Sequence, residues 1–193
     1  MKICGIILAA GEGKRAGGNK LSRNINNKPM LEWTLINASA ANLAEIIVVT
    51  GKEREFAENL CLRYKVKSVY NEKYSLGMSW SLKRGLSILP CDTDGFAVIL
   101  GDMPFIKVET IDYLVNGFNK NNGIIIPKYK SQWGHPRIFS SKYKSEIMNV
   151  TGDVGARIVV QNHPEDITFL EVNDPGVIQD FDDFNKIPEF KKI

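Results

Sequence analysis

The N-terminal stretch from Ile3 to Lys20 constrains the fold of this chain most. It opens with an apolar, β-branched run from Ile3 to Ala9, which has the length of a buried strand in a parallel sheet. The run leads into a glycine-rich loop that carries the cations Lys14, Arg15 and Lys20. Glycine lets a backbone approach its ligand, and consecutive N–H groups in such a loop bind anions. The stretch therefore predicts a phosphate-binding loop at the carboxyl end of the first strand, where open α/β sheets bind ligands.

Apolar strands alternate with amphipathic helices through the first two-thirds of the chain. Strands are predicted at 46–50, 66–70, 96–100 and 123–127, and helices at 28–42, 53–64, 77–89 and 108–121. Beyond Tyr129 the pattern is less regular, with strands at 134–139 and 167–172 and helices at 142–148 and 155–162. This order predicts an α/β protein with a doubly wound, mainly parallel sheet and right-handed crossovers.

Composition argues against several classes of protein. With 193 residues, of which 44% are apolar and 24% charged, the chain fits one soluble globular domain. The formal net charge of +3 is too small to indicate a nucleic-acid partner. The three cysteines, Cys4, Cys61 and Cys91, show no C-x-x-C spacing and indicate neither a disulfide framework nor a zinc site. The sequence shows no signal peptide and no apolar run long enough to span a membrane, so we expect a cytoplasmic location.

Three kinds of phosphate-binding loop share such glycines. A Walker loop requires a hydroxyl residue directly after its lysine, whereas Gly18 is followed by Asn-Lys-Leu. A dinucleotide fingerprint is matched loosely by Gly11–Ala16, but the second strand ends in Gly51 rather than in the acid that would hold a ribose. The third pattern, Leu8–Arg15 followed by a lysine, resembles the signature loop of nucleotidyltransferases.

Asp102 is the first candidate for the chemistry of such a site. It follows the apolar strand at 96–100, so its carboxylate is expected at the same sheet edge as the glycine-rich loop. Nucleotidyl transfer places negative charge on the triphosphate and on the leaving pyrophosphate, and Mg²⁺ held by one or two carboxylates is the expected counterion. Lys20 and Arg15 would offset further charge, Arg15 with bidentate geometry. The alternative is that Asp102 only caps the turn that follows.

Weaker candidates are open to either a structural or a functional interpretation. The segment Gly77–Ser81 begins a helix, so its N–H groups and hydroxyls either face a ligand or cap the helix. His135 is held between a glycine and a proline, while Asp153 and Arg157 stand at the start of a later helix. Three acids near the C-terminus are typical, taken alone, of a solvated tail: Asp180, Asp182 and Asp183.

In their order along the chain, these motifs resemble the MobA-like nucleotidyltransferases, and most closely their molybdenum cofactor cytidylyltransferase (MocA-like) branch. The motifs are Leu8–Arg15, Lys20, Asn71, Gly77–Leu82, Gly101–Pro104, Gly134–Pro136, Gly152–Arg157 and Asp180–Asp182. The resemblance covers nearly the whole chain and implies a single Rossmann-like domain of the nucleotide-diphospho-sugar transferase type. In that domain residues 1–128 would bind the nucleotide and 129–193 would complete the acceptor side. The implied reaction joins CTP to molybdopterin cofactor and releases pyrophosphate.

The resemblance also implies a role for each motif. Catalytic residues would be Arg15, Lys20 and Asp102, and Mg²⁺ would be held by Asp102 and Asp182. Nucleotide-binding residues would be Leu8, Ala9, Ala10, Gly11, Gly13, Arg15, Lys20, Asn71, Gly77, Met78, Ser79, Ser81 and Gly101. Acceptor-binding residues would be His135, Pro136, Asp153 and Arg157. A molybdoenzyme or its chaperone would be a further partner.

Several alternatives stay open. Ala16 stands where the family usually has methionine, and the Thr-Pro that usually follows the last acidic motif is missing after Asp182. Ala10 favours cytidylyl transfer, whereas a Leu-Ala-Gly-Gly loop would indicate guanylyl transfer. Sugar-phosphate and methylerythritol-phosphate cytidylyltransferases share the alanine, although the later motifs argue against them. Alternatives of other classes are a nucleotide-binding protein that delivers cofactor without turnover and a dinucleotide-dependent oxidoreductase, which Gly51 disfavours.

Overall fold

An eight-stranded sheet forms the centre of the fold in the computed structural model, whose described residues are 1–11, 13, 19–119, 123–150 and 155–181. The strands along the chain are β1 (Ile3–Ala9), β2 (Asn24–Ile25), β3 (Lys28–Pro29), β4 (Glu45–Thr50), β5 (Lys67–Tyr70), β6 (Gly95–Leu100), β7 (Ile124–Tyr129), β8 (Gln132–Trp133), β9 (Arg137–Ser140) and β10 (Ile167–Glu171). Strands β2 and β3 form a separate antiparallel pair. In the main sheet the order is β10-β7-β9-β6-β1-β4-β5, with β8 paired to β7.

Helices cover both faces of this sheet. They are α1 (Met30–Ala40), α2 (Arg54–Tyr64), α3 (Met78–Leu86), α4 (Val108–Gly117), α5 (Lys144–Asn149) and α6 (Arg157–Asn162). Helices α1, α2 and α4 contribute to one apolar core, and α3, α5 and α6 contribute to the other. The doubly wound α/β architecture expected from the sequence is therefore confirmed.

The sheet is mainly parallel, with one internal exception. Strands β5, β4, β1 and β6 are parallel neighbours, and β10 is parallel to β7. Strand β9 lies between β6 and β7 and is antiparallel to both. Because β9 reverses direction, it carries the chain at 134–136 to the carboxyl edge of β6, which is also the edge reached by the loop after β1.

Strand β1 is buried because both of its faces are covered. Ile3 and Ile7 belong to the core on one side of the sheet, and Cys4 and Ile6 belong to the core on the other. Burial of each large aliphatic side chain contributes about 1.5–3 kcal/mol. The same alternation explains why the strand reads as a continuous apolar run in the sequence. Cys4 and Cys61 are both core residues.

Some element ends differ from those predicted. The first helix was expected to include residue 28, but Pro29 has extended backbone angles (φ −57°, ψ 148°) and belongs to β3, so the helix begins at Met30. The helix predicted at 108–121 ends at Gly117, because Phe118 is already extended. Within the described ranges, no helix has both the length and the apolar composition that crossing a membrane would require.

Candidate active site

The carboxyl ends of β1, β4 and β6 bring three loops together at one edge of the sheet. The N–H of Gly101, just after β6, donates to the Leu8 carbonyl at 3.0 Å. A Cβ atom on Gly101 would lie 3.0 Å from that same oxygen, and a Cβ atom on Gly51 would lie 2.4 Å from the Ala10 carbonyl oxygen. Glycine at 51 and 101 therefore lets the neighbouring backbones approach. The predicted site residues Leu8, Ala10 and Gly101 are thus neighbours in space.

The glycine-rich loop is described in part. Ala9 ends β1, Gly11 is exposed, and Gly13 has a φ of 58°, in the left-handed region that favours glycine. Residues 12 and 14–18 lie outside the described residues, and the predicted catalytic residue Arg15 is among them. The described ends of the loop nevertheless fix where it leaves β1 and where it returns at residue 19.

Lys20 and Asp102 meet at this edge. The Lys20 ammonium lies 2.7 Å from Oδ2 of Asp102 and donates a hydrogen bond to it. The Lys20 side chain is 8% exposed and that of Asp102 is 28% exposed, so the cation is held inside the protein while the carboxylate stays accessible. A buried ammonium is stable only with compensating charge or hydrogen bonds, which Asp102 helps to supply. Two of the three predicted catalytic side chains are therefore in direct contact.

Glu53 anchors the segment that carries Lys20, a role that no sequence motif indicated. Its carboxylate oxygens accept hydrogen bonds from the N–H groups of Leu21 at 2.9 Å and Ser22 at 3.0 Å. The carbonyl of Leu21 in turn accepts from the N–H of Leu31 on α1 at 3.1 Å. An acid just before a helix is usually interpreted as interacting favourably with the helix dipole. For this reason the hydrogen bonds of Glu53 to the Lys20 segment were not predicted from the sequence.

Two polar side chains of α1 hold the turn that contains Asp102. The Thr34 hydroxyl donates to the Gly101 carbonyl at 3.2 Å. The Asn37 amide donates to the carbonyls of Pro104 and Ile106, each at 3.0 Å. The turn is thus attached to a helix that is itself packed on the sheet, which limits movement of the carboxylate.

The start of α3 brings together several predicted nucleotide-binding residues. Gly77 precedes the helix with a φ of 109°, and Met78 at its first position is exposed. The buried Asn71 amide donates to the Ser81 hydroxyl at 3.1 Å, and the buried Ser79 hydroxyl accepts from the N–H of Gly155 at 3.0 Å. Both serine hydroxyls therefore have partners within the protein, and they tie the start of α3 to Asn71 and to Gly155.

His135 lies in a tightly held turn before β9. Its N–H donates to the Val177 carbonyl at 2.8 Å, and the peptide bond between His135 and Pro136 is cis. Desolvation, followed by the nearby positive charge of Arg137, lowers the pKa of His135 to about 4, so the ring is neutral near pH 7. Its Nδ1 atom is buried, and no hydrogen-bond partner for it is found within the described residues.

Arg137 is a site residue that the sequence analysis missed. Its Nε donates to the Gly134 carbonyl at 3.3 Å, and its position on β9 lies opposite Val98 of β6. Desolvation, followed by the positive charge of Arg157, lowers the pKa of the Arg137 guanidinium. Two arginines and a neutral histidine therefore lie near one another where the chain turns toward the carboxyl end of β6. Only tertiary structure makes Arg137 a candidate, because an arginine at the start of a strand has no local signal.

The C-terminal segment packs against both the Asp102 turn and the His135 turn. The ring of Phe181 contacts Phe105 edge-on, with centroids 4.9 Å apart. A Cβ atom on Gly134 would lie 2.5 Å from the Val177 carbonyl oxygen, which shows how closely the two segments approach. The predicted metal ligand Asp182 and the predicted acceptor residue Asp153 lie outside the described residues.

This combination of loops on a doubly wound sheet agrees with a known family. The model of the MobA-like NTP transferase domain matches residues 5–167, which include most of β1, the glycine-rich loop, Asp102 and His135. The chain belongs to this family. The resemblance to the MobA-like family is thereby confirmed, and so is the assignment of the chain to the nucleotidyltransferases, whereas the cytidylyltransferase branch is not confirmed.

Relatives in sequence and structure support the same assignment. A probable molybdenum cofactor guanylyltransferase of Thermococcus gammatolerans is 30% identical over 174 residues, covering 89% of this chain and 83% of the relative. A protein of the same description from Thermococcus sibiricus is 33% identical over 137 residues, covering 69% of this chain and 66% of the relative. The crystal structure of Rv0371c from Mycobacterium tuberculosis H37Rv superposes with a TM-score of 0.84 at 25% identity, covering 96% of this chain and 95% of that one.

Proposed function

We propose that this protein transfers a nucleotidyl group from a nucleoside triphosphate to molybdopterin cofactor and releases pyrophosphate. The observation that carries the proposal is the contact between Lys20 and Asp102, which joins the phosphate-loop segment to the end of β6. The molybdopterin acceptor is supported by the descriptions of the curated relatives.

In the proposed reaction the protein positions groups and neutralises charge. An acceptor oxygen attacks the α-phosphorus, a new P–O bond forms, and the bond to the β-phosphate oxygen breaks as pyrophosphate leaves. Lys20 would place its positive charge on the phosphates, and the N–H groups after Ala10 would bind phosphate oxygens. No side chain has to form a covalent bond, as is usual for such transfers.

Asp102 fits the role of a magnesium ligand. Its Oδ2 accepts from Lys20, and its carboxylate remains 28% exposed, so an oxygen is available at the sheet edge. Mg²⁺ is typically bound by one or two carboxylates together with phosphate oxygens and water. Bound there, the ion would neutralise charge on the triphosphate. Asp182, which follows the Phe181 ring that contacts Phe105, would be the second carboxylate.

The acceptor would approach from the side of His135 and Arg137. Molybdopterin cofactor is anionic, and Arg137 and Arg157 supply two cations near the turn at 134–136. The His135 ring is neutral near pH 7, so it adds no charge to this side of the site. This side of the site therefore suits an anionic acceptor better than a neutral one.

Two donor nucleotides are supported by different observations. The descriptions of the curated relatives favour GTP. CTP is supported by the Leu8–Gly11 sequence, Leu-Ala-Ala-Gly, which resembles the loop of the cytidylyltransferase branch. Transfer to another small phosphorylated acceptor, and delivery of cofactor without turnover, are the remaining alternatives.

Pyrophosphate release with each of the four nucleoside triphosphates, Mg²⁺ and molybdopterin cofactor tests the proposal. The donor is the nucleotide, GTP or CTP, with which pyrophosphate release depends on the acceptor. Asp102→Ala should abolish this release. Asp92→Ala is the matched control, because Asp92 also pairs with a lysine, Lys2, at 2.6 Å but at an exposed position. Nucleotide binding without release for any donor would overturn the proposed turnover and favour the delivery alternative.

A further inference from the structure

A second cleft lies on the outer side of α3, away from the Lys20–Asp102 contact. Its volume is about 570 Å³, and its walls come from the end of β5, the following loop, α3 and α5. The lining residues on which the argument depends are Tyr70, Lys73, Trp80, Lys83 and Arg84. Clefts of roughly 300–1,000 Å³ are the size that small molecules occupy.

Three cations converge in this cleft. The ammonium groups of Lys73 and Lys83 lie 4.4 Å and 5.2 Å from the ring centroid of Trp80. Arg84 uses its Nε to donate to the Tyr70 carbonyl at 3.0 Å, which fixes the guanidinium at the wall. Because all three cations line one cleft, their mutual repulsion would be reduced by an anion bound there.

Acidic side chains of the described residues do not already neutralise these cations. Among the ion pairs found in the described part of the chain, none involves Lys73, Lys83 or Arg84. Glu72 is the acidic member of the cleft lining within the described residues, and it is exposed. The cleft therefore has net positive charge, although the whole chain has a formal charge of only +3.

Asn71, a predicted nucleotide-binding residue, also lines this cleft, whereas Ser79 and Ser81 are buried and are not among its lining residues. Trp80, Lys83 and Arg84 have the i, i+3, i+4 spacing of one helix face, and Ser87 at i+7 also lines the cleft. The opposite face of α3 is buried through Leu82 and Leu86. A ligand among the three cations would therefore lie on the face of α3 opposite Leu82 and Leu86.

We propose that the cleft binds a phosphate-bearing small molecule as a second anion site. Lys73 and Lys83 would contact its phosphate oxygens, with Arg84 as the third donor. Trp80 and Tyr70 add an aromatic surface on which an organic portion of the ligand would pack. The shared chemistry is the phosphate, which free pyrophosphate or a nucleotide would supply.

Asn71 connects this second site to the proposed nucleotide site. Its side chain accepts from the N–H of Lys73 at 3.0 Å and donates to the Ser81 hydroxyl at 3.1 Å. An anion that moves Lys73 would thus change the support of the α3 start, and any effect on nucleotide affinity must be reciprocal. This coupling rests on the proposed function, whereas binding in the cleft does not.

Titration with inorganic pyrophosphate, followed by tryptophan fluorescence, tests the second site. The protein used for the titration is the full chain with the substitution Lys20→Gln, because this substitution weakens phosphate binding at the candidate active site. We expect a saturable change that disappears in Trp80→Phe. Lys83→Gln should weaken binding about fivefold, and Lys73→Gln with Lys83→Gln about twentyfold or more, because each removes a charged donor.

Lys130→Gln is the matched control, since Lys130 also lies 5.2 Å from an aromatic centroid, that of Tyr129, but on another part of the surface. It should leave the affinity unchanged. A nucleoside triphosphate that binds tighter than pyrophosphate would identify a nucleotide as the ligand, and equal affinities would identify the phosphate alone. Absence of saturable binding, or equal affinity in the double variant and the control, would overturn the site. Both results are independent of whether the protein releases pyrophosphate from a nucleotide.

Discussion

The Lys20 ammonium contacts the Asp102 carboxylate at 2.7 Å and so joins two loops that are 82 residues apart in the chain. One loop follows β1 and the other follows β6, and these strands are parallel neighbours in the sheet. The contact places a nearly buried positive charge beside an accessible carboxylate. A triphosphate bound at this edge would require a positive charge for its phosphates, and its counterion would require a carboxylate ligand.

Lys20→Met should lower turnover strongly while the protein stays folded. Methionine keeps much of the apolar volume of the side chain but removes the charge that would stabilise the transferring phosphates. Removal of one such stabilising group lowers kcat by about 100- to 1,000-fold. Steady-state pyrophosphate release measures this, with Lys2→Met as the control from the exposed Lys2–Asp92 pair. Equal activity in the two variants would show that Lys20 has no part in the reaction.

Glu53→Ala should loosen the segment that carries Lys20. Loss of the carboxylate leaves the N–H groups of Leu21 and Ser22 without their acceptors, at a cost of about 1–3 kcal/mol in the free energy of unfolding. The KM for the nucleotide should rise as well, and Glu53→Gln, which keeps one acceptor oxygen, should fall between. Urea unfolding together with kinetics checks both effects. Glu55→Ala, at an exposed position in the first turn of α2, is expected to change neither quantity.

The contrast between Asp102 and Glu53 shows what the sequence could predict. Asp102 was found because it directly follows an apolar strand, and the ends of parallel strands must meet at one edge. Glu53 was missed because its partners are 31 and 32 residues away, and no local pattern specifies them. The antiparallel course of β9 was missed for a similar reason, since a short apolar run does not state which neighbour it pairs with. Arg137 became a candidate only once that pairing was known.

Arg137→Gln should weaken binding of the acceptor more than binding of the nucleotide. The guanidinium lies on the side of His135 and is held by the Gly134 carbonyl, so its loss removes a charged donor from that side alone. We expect the KM for molybdopterin cofactor to rise about tenfold or more, with the KM for the nucleotide nearly unchanged. Arg137→Lys should recover part of the loss because it keeps the charge. Arg54→Gln, which removes an exposed arginine paired with Glu58, serves as the control.

The opposite result would be that Arg137→Gln raises the KM for the nucleotide and leaves the KM for the acceptor unchanged. In that case the nucleotide, rather than the acceptor, would have to bind on the side of His135 and Arg137. A general fall in stability can be separated from this outcome by comparing thermal unfolding of the Gln and Lys variants.

His135 should make the protein less stable as the pH falls from about 6.5 to about 4. Its pKa is lowered from 6.5 to about 4 by desolvation and by the charge of Arg137, so the unfolded chain binds a proton in this range that the folded protein does not. The free energy of unfolding therefore decreases with falling pH across that window and is unaffected by this group above it. The shift corresponds to roughly 3 kcal/mol at most. Urea unfolding at several pH values should show a shallower decline for His135→Gln than for the unaltered protein, since glutamine does not titrate. Parallel curves would mean that His135 titrates alike in both states, and that its ring is not held neutral by its surroundings.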